Sequence, residues 1–284
     1  MDVKMVGVLG AGTMGNGIAQ VAAQAGYQVI MRDIEDRFVD NGLKAIEKFL
    51  LKSVEKGKMT EEQKKGVTGR IKGTTRMEDL KNADLVIEAV FEDLAVKKDL
   101  FKQLDELTRK DAILTSNTSS MSITEIAVAT KRPEKVAGMH FFNPAPLMRL
   151  VEVIRGFHTS DETVRTVMEI TRKMGKEPVE VKKDTPGFIV NRLMIPHFIE
   201  AIRMLEEGVA TAEDIDKAIK LGLNYPMGPF ELMDLTGIDI AHHVTEYFYK
   251  ELNKESKWSI PPLMKTMLRA GRLGRKTGGG WYKY

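Results

Sequence analysis

Short apolar runs alternate with amphipathic stretches along the first part of the chain, the rhythm of a sheet whose strands are joined by helices. Residues 4–9 read as a buried strand, 10–15 as a turn, about 12–25 as a helix and 27–33 as a second strand. The period then lengthens. Residues 35 to about 57 place Phe38, Val39, Gly42, Ile46, Phe49 and Leu50 on one helical face. Thr60-Glu61-Glu62-Gln63 has the form of a capping box, so a second helix over about 60–67 is expected to turn back. The two make a helical hairpin inserted before the third strand. Further strands are expected at 71–75, 84–90, 112–115, in the run ending at His140, at 150–154 and at 178–181. Helices are expected at 94–109, from Ser122 onward and at 161–174.

Lys182-Lys183-Asp184-Thr185-Pro186-Gly187 breaks this pattern, and the remainder of the chain reads as helical. Residues 188–207 are apolar on nearly all sides, which suits a helix buried in a bundle or between subunits. The pattern therefore gives two domains, an α/β domain at 1–184 and an all-α domain at 185–284.

Composition narrows the class. The chain has 284 residues, 43% of them hydrophobic, enough to build two cores. Its 43 basic and 40 acidic side chains leave a net charge of only +3, so nothing global points to nucleic acid. With no cysteine, disulfides, thiolate nucleophiles and cysteine-ligated metals are excluded. No charged residue occurs from Met5 to Met31, but its glycines and Asn16, Gln20, Gln24 and Gln28 argue against a membrane span. The expectation is a cytoplasmic protein without a membrane partner.

The first turn, Gly10-Ala11-Gly12-Thr13-Met14-Gly15, matches G-x-G-x-x-G between a strand and a helix. In that context the first glycine makes the tight turn, the second admits a pyrophosphate to bare backbone, and the third lets the helix press on the sheet. The helix then directs its N-terminal amides at the phosphates. Asp33 closes the second strand roughly 20 residues on, where an acid accepts the ribose hydroxyls. The fold class expected is α/β, a Rossmann-like doubly wound sheet with an inserted helical hairpin, followed by an all-α domain. Asp33 would repel a 2′-phosphate, so NAD is favoured over NADP, although the neighbouring Arg32 is the residue type that accommodates that phosphate.

Ligands of open α/β sheets sit outside the carboxyl ends of the strands. Ser116-Asn117-Thr118-Ser119-Ser120 comes directly after one such strand; its composition suits a helix cap as well as a binding loop, and its position favours contact with the cofactor's working end. His140 ends another strand, and Glu152 lies in the next, beyond a turn marked by Pro144 and Pro146. A lone histidine there is commonly structural. Paired with a buried carboxylate at its far nitrogen, it becomes a general base able to take an alcohol proton. The adjacent His242 and His243 diverge by about 100° on a helix, so no catalytic metal is expected. Asn191 is the uncharged polar exception in its apolar helix, either an interhelical amide or a cleft residue at the domain junction. Lys44, Lys48, Lys52 and Lys56 form a ridge at four-residue spacing, either a solvated face or a site for a polyphosphate group.

These pieces together make the sequence resemble the L-3-hydroxyacyl-CoA dehydrogenase family over nearly its whole length, with the bacterial 3-hydroxybutyryl-CoA branch of butyrate metabolism the nearest likeness. The resemblance rests on the glycine turn, Ser116 to Ser120, Met139-His140-Phe141-Phe142-Asn143-Pro144-Ala145-Pro146, Pro186-Gly187-Phe188-Ile189-Val190-Asn191-Arg192 and Tyr225-Pro226-Met227-Gly228-Pro229. It implies hydride exchange between an acyl-CoA substrate and NAD, with His140 as base, Glu152 orienting it, and Ser119 and Asn191 holding the substrate oxygen. Gly10, Gly12, Thr13, Met14, Gly15, Asp33, Glu92, Lys97, Asn117, Ser119, Asn143 and Lys276 are the implied cofactor contacts. Lys52 and Lys56 become the implied CoA contacts, and the helical domain the contact of a homodimer. Many relatives end in Gly-Phe-Tyr where this chain has Gly280-Trp281-Tyr282, a conservative change in a tail expected to pack on the helical domain. The rival readings are a dehydrogenase of a free sugar acid, of gulonate type, and a catalytically silent structural protein of crystallin type.

Overall fold

The computed structural model describes residues 3–284. The chain divides into two compact units, Met1–Thr185 and Pro186–Tyr284. In the first unit the strands are β1 (Met5–Leu9), β2 (Gln28–Arg32), β3 (Ile71–Thr74), β4 (Leu85–Glu88), β5 (Ile113–Ser116), β6 (Val136–Phe141), β7 (Leu150–Ile154) and β8 (Glu177–Val181). Its helices are α1 (Thr13–Gln24), α2 (Asp36–Glu55), α3 (Glu61–Thr68), α4 (Leu94–Leu107), α5 (Ile123–Ala127) and α6 (Asp161–Lys173).

The strands form one sheet in the order β3-β2-β1-β4-β5-β6-β7-β8. Strands β1 to β6 run parallel, β7 is antiparallel to β6, and β8 is parallel to β7. Because β1 pairs with both β2 and β4, the strand order reverses there, and a crevice opens beyond the carboxyl ends of these strands. The register puts Arg32, Leu9, Glu88 and Ser116 in one row along that edge. Strands buried on both faces need apolar side chains on both, and β4, β5 and β6 are buried at every position.

The helical hairpin is α2 and α3. Thr60 accepts from Gln63 N–H at 3.1 Å while the Gln63 side chain accepts from Thr60 N–H at 2.8 Å, the reciprocal cap expected. Helix α2 ends at Glu55, and Gly57 takes a left-handed φ of 66°, a common way to stop a helix. Lys56 therefore stands at the C-cap rather than on the helix proper.

The second unit contains α7 (Val190–Glu206), α8 (Ala212–Gly222), α9 (Pro229–Thr236), α10 (Ile238–Glu251) and α11 (Pro262–Arg269). Helix α7 begins two residues later than the apolar pattern suggests. Gly187 and Phe188 have φ of 73° and 54°, which no right-handed helix accommodates. Ile195, Phe198, Ile202, Phe230, Met233 and Phe248 make the buried core. Asp216 of α8, itself buried, accepts from the N–H groups of Phe230 and Glu231 at 2.9 Å each, satisfying the start of α9. Burial pushes its carboxyl pKa up, against the pull of these donors and of the Tyr282 hydroxyl at 2.7 Å. Asp234 accepts from Trp281 N–H and Tyr282 N–H at 2.9 Å each, and the Trp281 ring meets Phe230 edge-on at 4.9 Å. The C-terminal tail packs within the helical unit, and tryptophan fills its place there. No helix among the described residues is long and apolar enough to cross a membrane.

Candidate active site

The cradle after β1 is built by close approach. Gly10 has φ of 96°, and a Cβ there would lie 2.5 Å from the Ala89 carbonyl oxygen; at Gly15 it would lie 1.9 Å from the Gly10 oxygen. Either side chain would push the loop, the sheet or α1 apart. At Gly12, by contrast, a Cβ would meet nothing within 4 Å. Gly12 is also the N-cap of α1, where no side chain caps the helix and no acid occupies the first turn. Thr13 is exposed and Met14 half-buried beside it. An open backbone at a helix N-terminus fits a pyrophosphate.

Asp33 is anchored at both oxygens, Oδ2 accepting from Ala11 N–H and Oδ1 from Ile34 N–H, each at 2.7 Å. Each oxygen keeps a lone pair for a further donor. A cavity of about 450 Å³ adjoins it, lined among others by Gly12, Asp33, Ile34, Val90 and Phe91, mostly apolar with a few polar groups, as suits a nucleoside. Arg32 donates from Nε to the Thr75 carbonyl at 3.1 Å.

Further along the same edge lies a buried charged cluster. Glu88, at the end of β4 and fully buried, accepts from Lys97 Nζ at 2.7 Å, from Ser116 Oγ at 2.6 Å and from Val90 N–H at 2.8 Å. Lys97, equally buried on α4, also approaches Glu92 Oε2 at 3.2 Å. Glu92 Oε1 in turn accepts from Thr118 Oγ at 2.9 Å, Ser119 N–H at 2.7 Å and Ser119 Oγ at 3.2 Å. Three of the sequence-expected residues, Glu92, Lys97 and Ser119, are thereby joined. Glu88 was not among them; its signal was an acid closing an otherwise apolar strand.

His140 and Glu152 are directly opposed in the β6–β7 register, so their side chains share a face of the sheet. His140 Nδ1–H donates to Glu152 Oε2 at 2.8 Å, and both residues are buried. Asn117 Oδ1 accepts from Phe141 N–H at 2.8 Å, tying the loop after β5 to the end of β6. The Phe142 ring lies 4.5 Å from the imidazole. The next turn is held by the buried Lys176, which donates to the carbonyls of Ala145 at 2.6 Å and Met148 at 2.8 Å; burial lowers its pKa. Asn143, at the start of that turn, is exposed.

Other expected residues belong to other elements. Lys52 and Lys56 are exposed on and beyond the last turn of α2, which packs on α1, α3 and β3. Asn191 and Lys276 belong to the helical unit, where Asn191 is half-buried in the first turn of α7 and Lys276 pairs with Asp239 at 2.6 Å. Among the described residues no group of three His, Asp or Glu side chains is arranged to hold a metal ion.

A nucleotide cradle and a carboxylate-oriented imidazole along one sheet edge are the equipment of a dinucleotide-dependent dehydrogenase, the class that fold and site define. The chain belongs to the 3-hydroxyacyl-CoA dehydrogenase family: residues 5–185 match its NAD binding domain and residues 187–284 its C-terminal domain. It is 48% identical over 277 residues to the 3-hydroxybutyryl-CoA dehydrogenase of Clostridioides difficile, covering 98% of each chain. It is 43% identical over 289 residues to the mitochondrial hydroxyacyl-coenzyme A dehydrogenase of Sus scrofa, covering 99% of this chain and 91% of that one. The crystal structure of (S)-3-hydroxybutyryl-CoA dehydrogenase from Ralstonia eutropha superimposes with a TM-score of 0.96 at 46% identity, covering 100% of this chain and 99% of the other.

The contrast between the glycines leads to a specific expectation. Gly12→Ala should leave thermal stability within about 0.5 kcal/mol, because its methyl meets no protein atom, yet weaken NADH binding at least 10-fold by occupying the phosphate's place. Calorimetric unfolding and NADH fluorescence titration measure the two effects.

Proposed function

We propose that the protein interconverts an (S)-3-hydroxyacyl-CoA, in the first place 3-hydroxybutyryl-CoA, with the 3-oxoacyl-CoA, using NAD. The observation that carries this reading is the His140–Glu152 contact on the sheet that also bears the nucleotide cradle. Bound NAD would supply the carbon that accepts or returns the hydride. His140 holds its Nδ1 proton on Glu152, so proton exchange with the substrate hydroxyl runs through Nε2, and the buried carboxylate stabilises the imidazolium that results. Ser119, positioned by Glu92, and Asn191 of the helical unit are the groups we assign to the substrate oxygen. Asn117 and Asn143 then serve the nicotinamide side, and Lys276 a peripheral cofactor contact.

NAD rather than NADP is supported by Asp33, which presents negative charge where a 2′-phosphate would sit, and by Arg32, whose Nε is committed to the Thr75 carbonyl. An acyl-CoA substrate gives the lysine ridge a use. Lys52 and Lys56 have no ion pair among the described residues, and their place at the C-terminal end of α2 is also what the helix dipole favours. We read the protein as a cytoplasmic homodimer joined through the helical unit. That reading is supported by exposed apolar residues on this unit, Leu193 at 72% and Leu221 at 77%.

His140→Gln, which keeps a polar side chain but removes the titrating nitrogen, should lower kcat for acetoacetyl-CoA reduction by roughly 10²–10⁴ while NADH affinity holds; near-normal turnover would remove His140 from the chemistry. Lys52→Ala with Lys56→Ala should raise KM for the CoA ester, more at low ionic strength than at high, with kcat unchanged. An unchanged KM at low salt, or equal turnover of a substrate stripped of CoA, returns the ridge to a solvated face. Finally, oxidation of NADH with acetoacetyl-CoA should exceed that of NADPH at least 10-fold in kcat/KM in a spectrophotometric assay.

A further inference from the structure

Two carboxylates share one ammonium in the buried cluster at the ends of β4 and β5. Lys97 Nζ stands 2.7 Å from Glu88 and 3.2 Å from Glu92, and no other cation pairs with either acid among the described residues. Glu88 and Lys97 are shut off from solvent, whereas Glu92, in the loop after β4, is 36% exposed. One negative charge is therefore left over, and it is presented by Glu92. A buried ion pair is an expensive way to hold a helix to a strand, and an unbalanced charge beside it is more so.

The position of the surplus charge suggests its use. Asp33 and the adjoining cavity would hold the adenosine half of a dinucleotide, and the glycine cradle after β1 its pyrophosphate. The residues that would meet the other half are those at the carboxyl ends of the following strands, Glu92 and Ser119 after β4 and β5 and His140 on β6. The nicotinamide ring carries a positive charge when oxidised and none when reduced. We propose that the Glu88–Lys97–Glu92 cluster is an electrostatic bias that favours oxidised over reduced cofactor, and that Glu88 is the positioning residue that sets it. By taking the shorter contact with Lys97, Glu88 leaves Glu92 only partly neutralised; without Glu88, Lys97 would balance Glu92 alone. This inference rests on the proposed NAD dependence.

The test is the ratio of two dissociation constants. Glu88→Gln is isosteric, and the amide can still accept from Lys97 and Val90 while donating to Ser116 Oγ. For a unit charge a few ångströms from the ring in a partly screened site, Kd for NAD⁺ should rise on the order of 10-fold while Kd for NADH changes less than 2-fold. Glu88→Gln combined with Lys97→Met restores one net negative charge at Glu92. In that variant the ratio Kd(NAD⁺)/Kd(NADH) should return toward the wild-type value, whatever the repacking around residue 97 does to both affinities together. A structural role alone would weaken both cofactor forms together and leave the ratio fixed. An unchanged ratio in Glu88→Gln, or a failure of the double variant to restore it, overturns the inference. Wild-type protein that binds neither form would instead overturn the NAD reading itself. If Glu88→Gln does not fold, Glu92→Gln, which removes the exposed carboxylate and leaves the Glu88–Lys97 pair intact, must raise the same ratio or the inference fails.

Discussion

The antiparallel register between β6 and β7 is the constraint on which the site depends. Directly opposed residues in such a pair put their side chains side by side on the same face, and His140 and Glu152 occupy one such pair. A slip of one residue would turn every side chain of β7 to the other face and leave a buried carboxylate facing no donor. The register is protected from both sides. Apolar residues flank Glu152 at Val151 and Val153, fully buried, and β8 pairs in parallel with β7 along its length. Lys176 then clamps the connecting turn by two carbonyls, so the loop that sets the hairpin's geometry is itself held from within.

The remaining chemistry gathers at the same edge for a reason of chain direction. Six parallel strands deliver their carboxyl ends together, and each leads into a loop whose backbone is no longer committed to the sheet. Polar side chains at these ends are satisfied whether buried or at the rim: Glu88 has three donors, Glu92 has the Ser119 and Thr118 groups, and Asn117 takes Phe141 N–H. In a low-dielectric setting such a network is rigid, because losing any one bond strands a buried polar atom. The helical unit applies the same logic to its own ends. Asp216 and Asp234 collect backbone N–H groups from α9 and the C-terminal tail, so the last residues of the chain close the bundle's hydrogen bonding.

Much of this was legible from residue order alone, because strands and helices declare themselves by local period and the nucleotide cradle by local spacing. The glycine turn, the capping box at Thr60, the strand that ends in Asp33 and the polar break near Asp184 each lie within a few residues of chain. Helix ends were less legible. The start of α7 is displaced by the left-handed conformations of Gly187 and Phe188, and the end of α2 by Gly57, and these are properties of φ that residue type only suggests. The pairing of His140 with Glu152 could be anticipated because a proline-marked turn joins adjacent strands and makes a distant contact a local one.

What the amino-acid order determined by itself was therefore the family, the sequence of elements and the residue types available for hydride exchange, since all of these are carried by short-range pattern. Only the tertiary structure decided which charges meet. Glu88, Lys97, Glu92 and Ser119 come from a strand, a helix and two loops, and nothing in their spacing says that one ammonium will be divided between two acids. Local propensity acts over one turn or one strand, whereas the balance of a buried charge cluster is set by which strand ends the sheet order brings side by side.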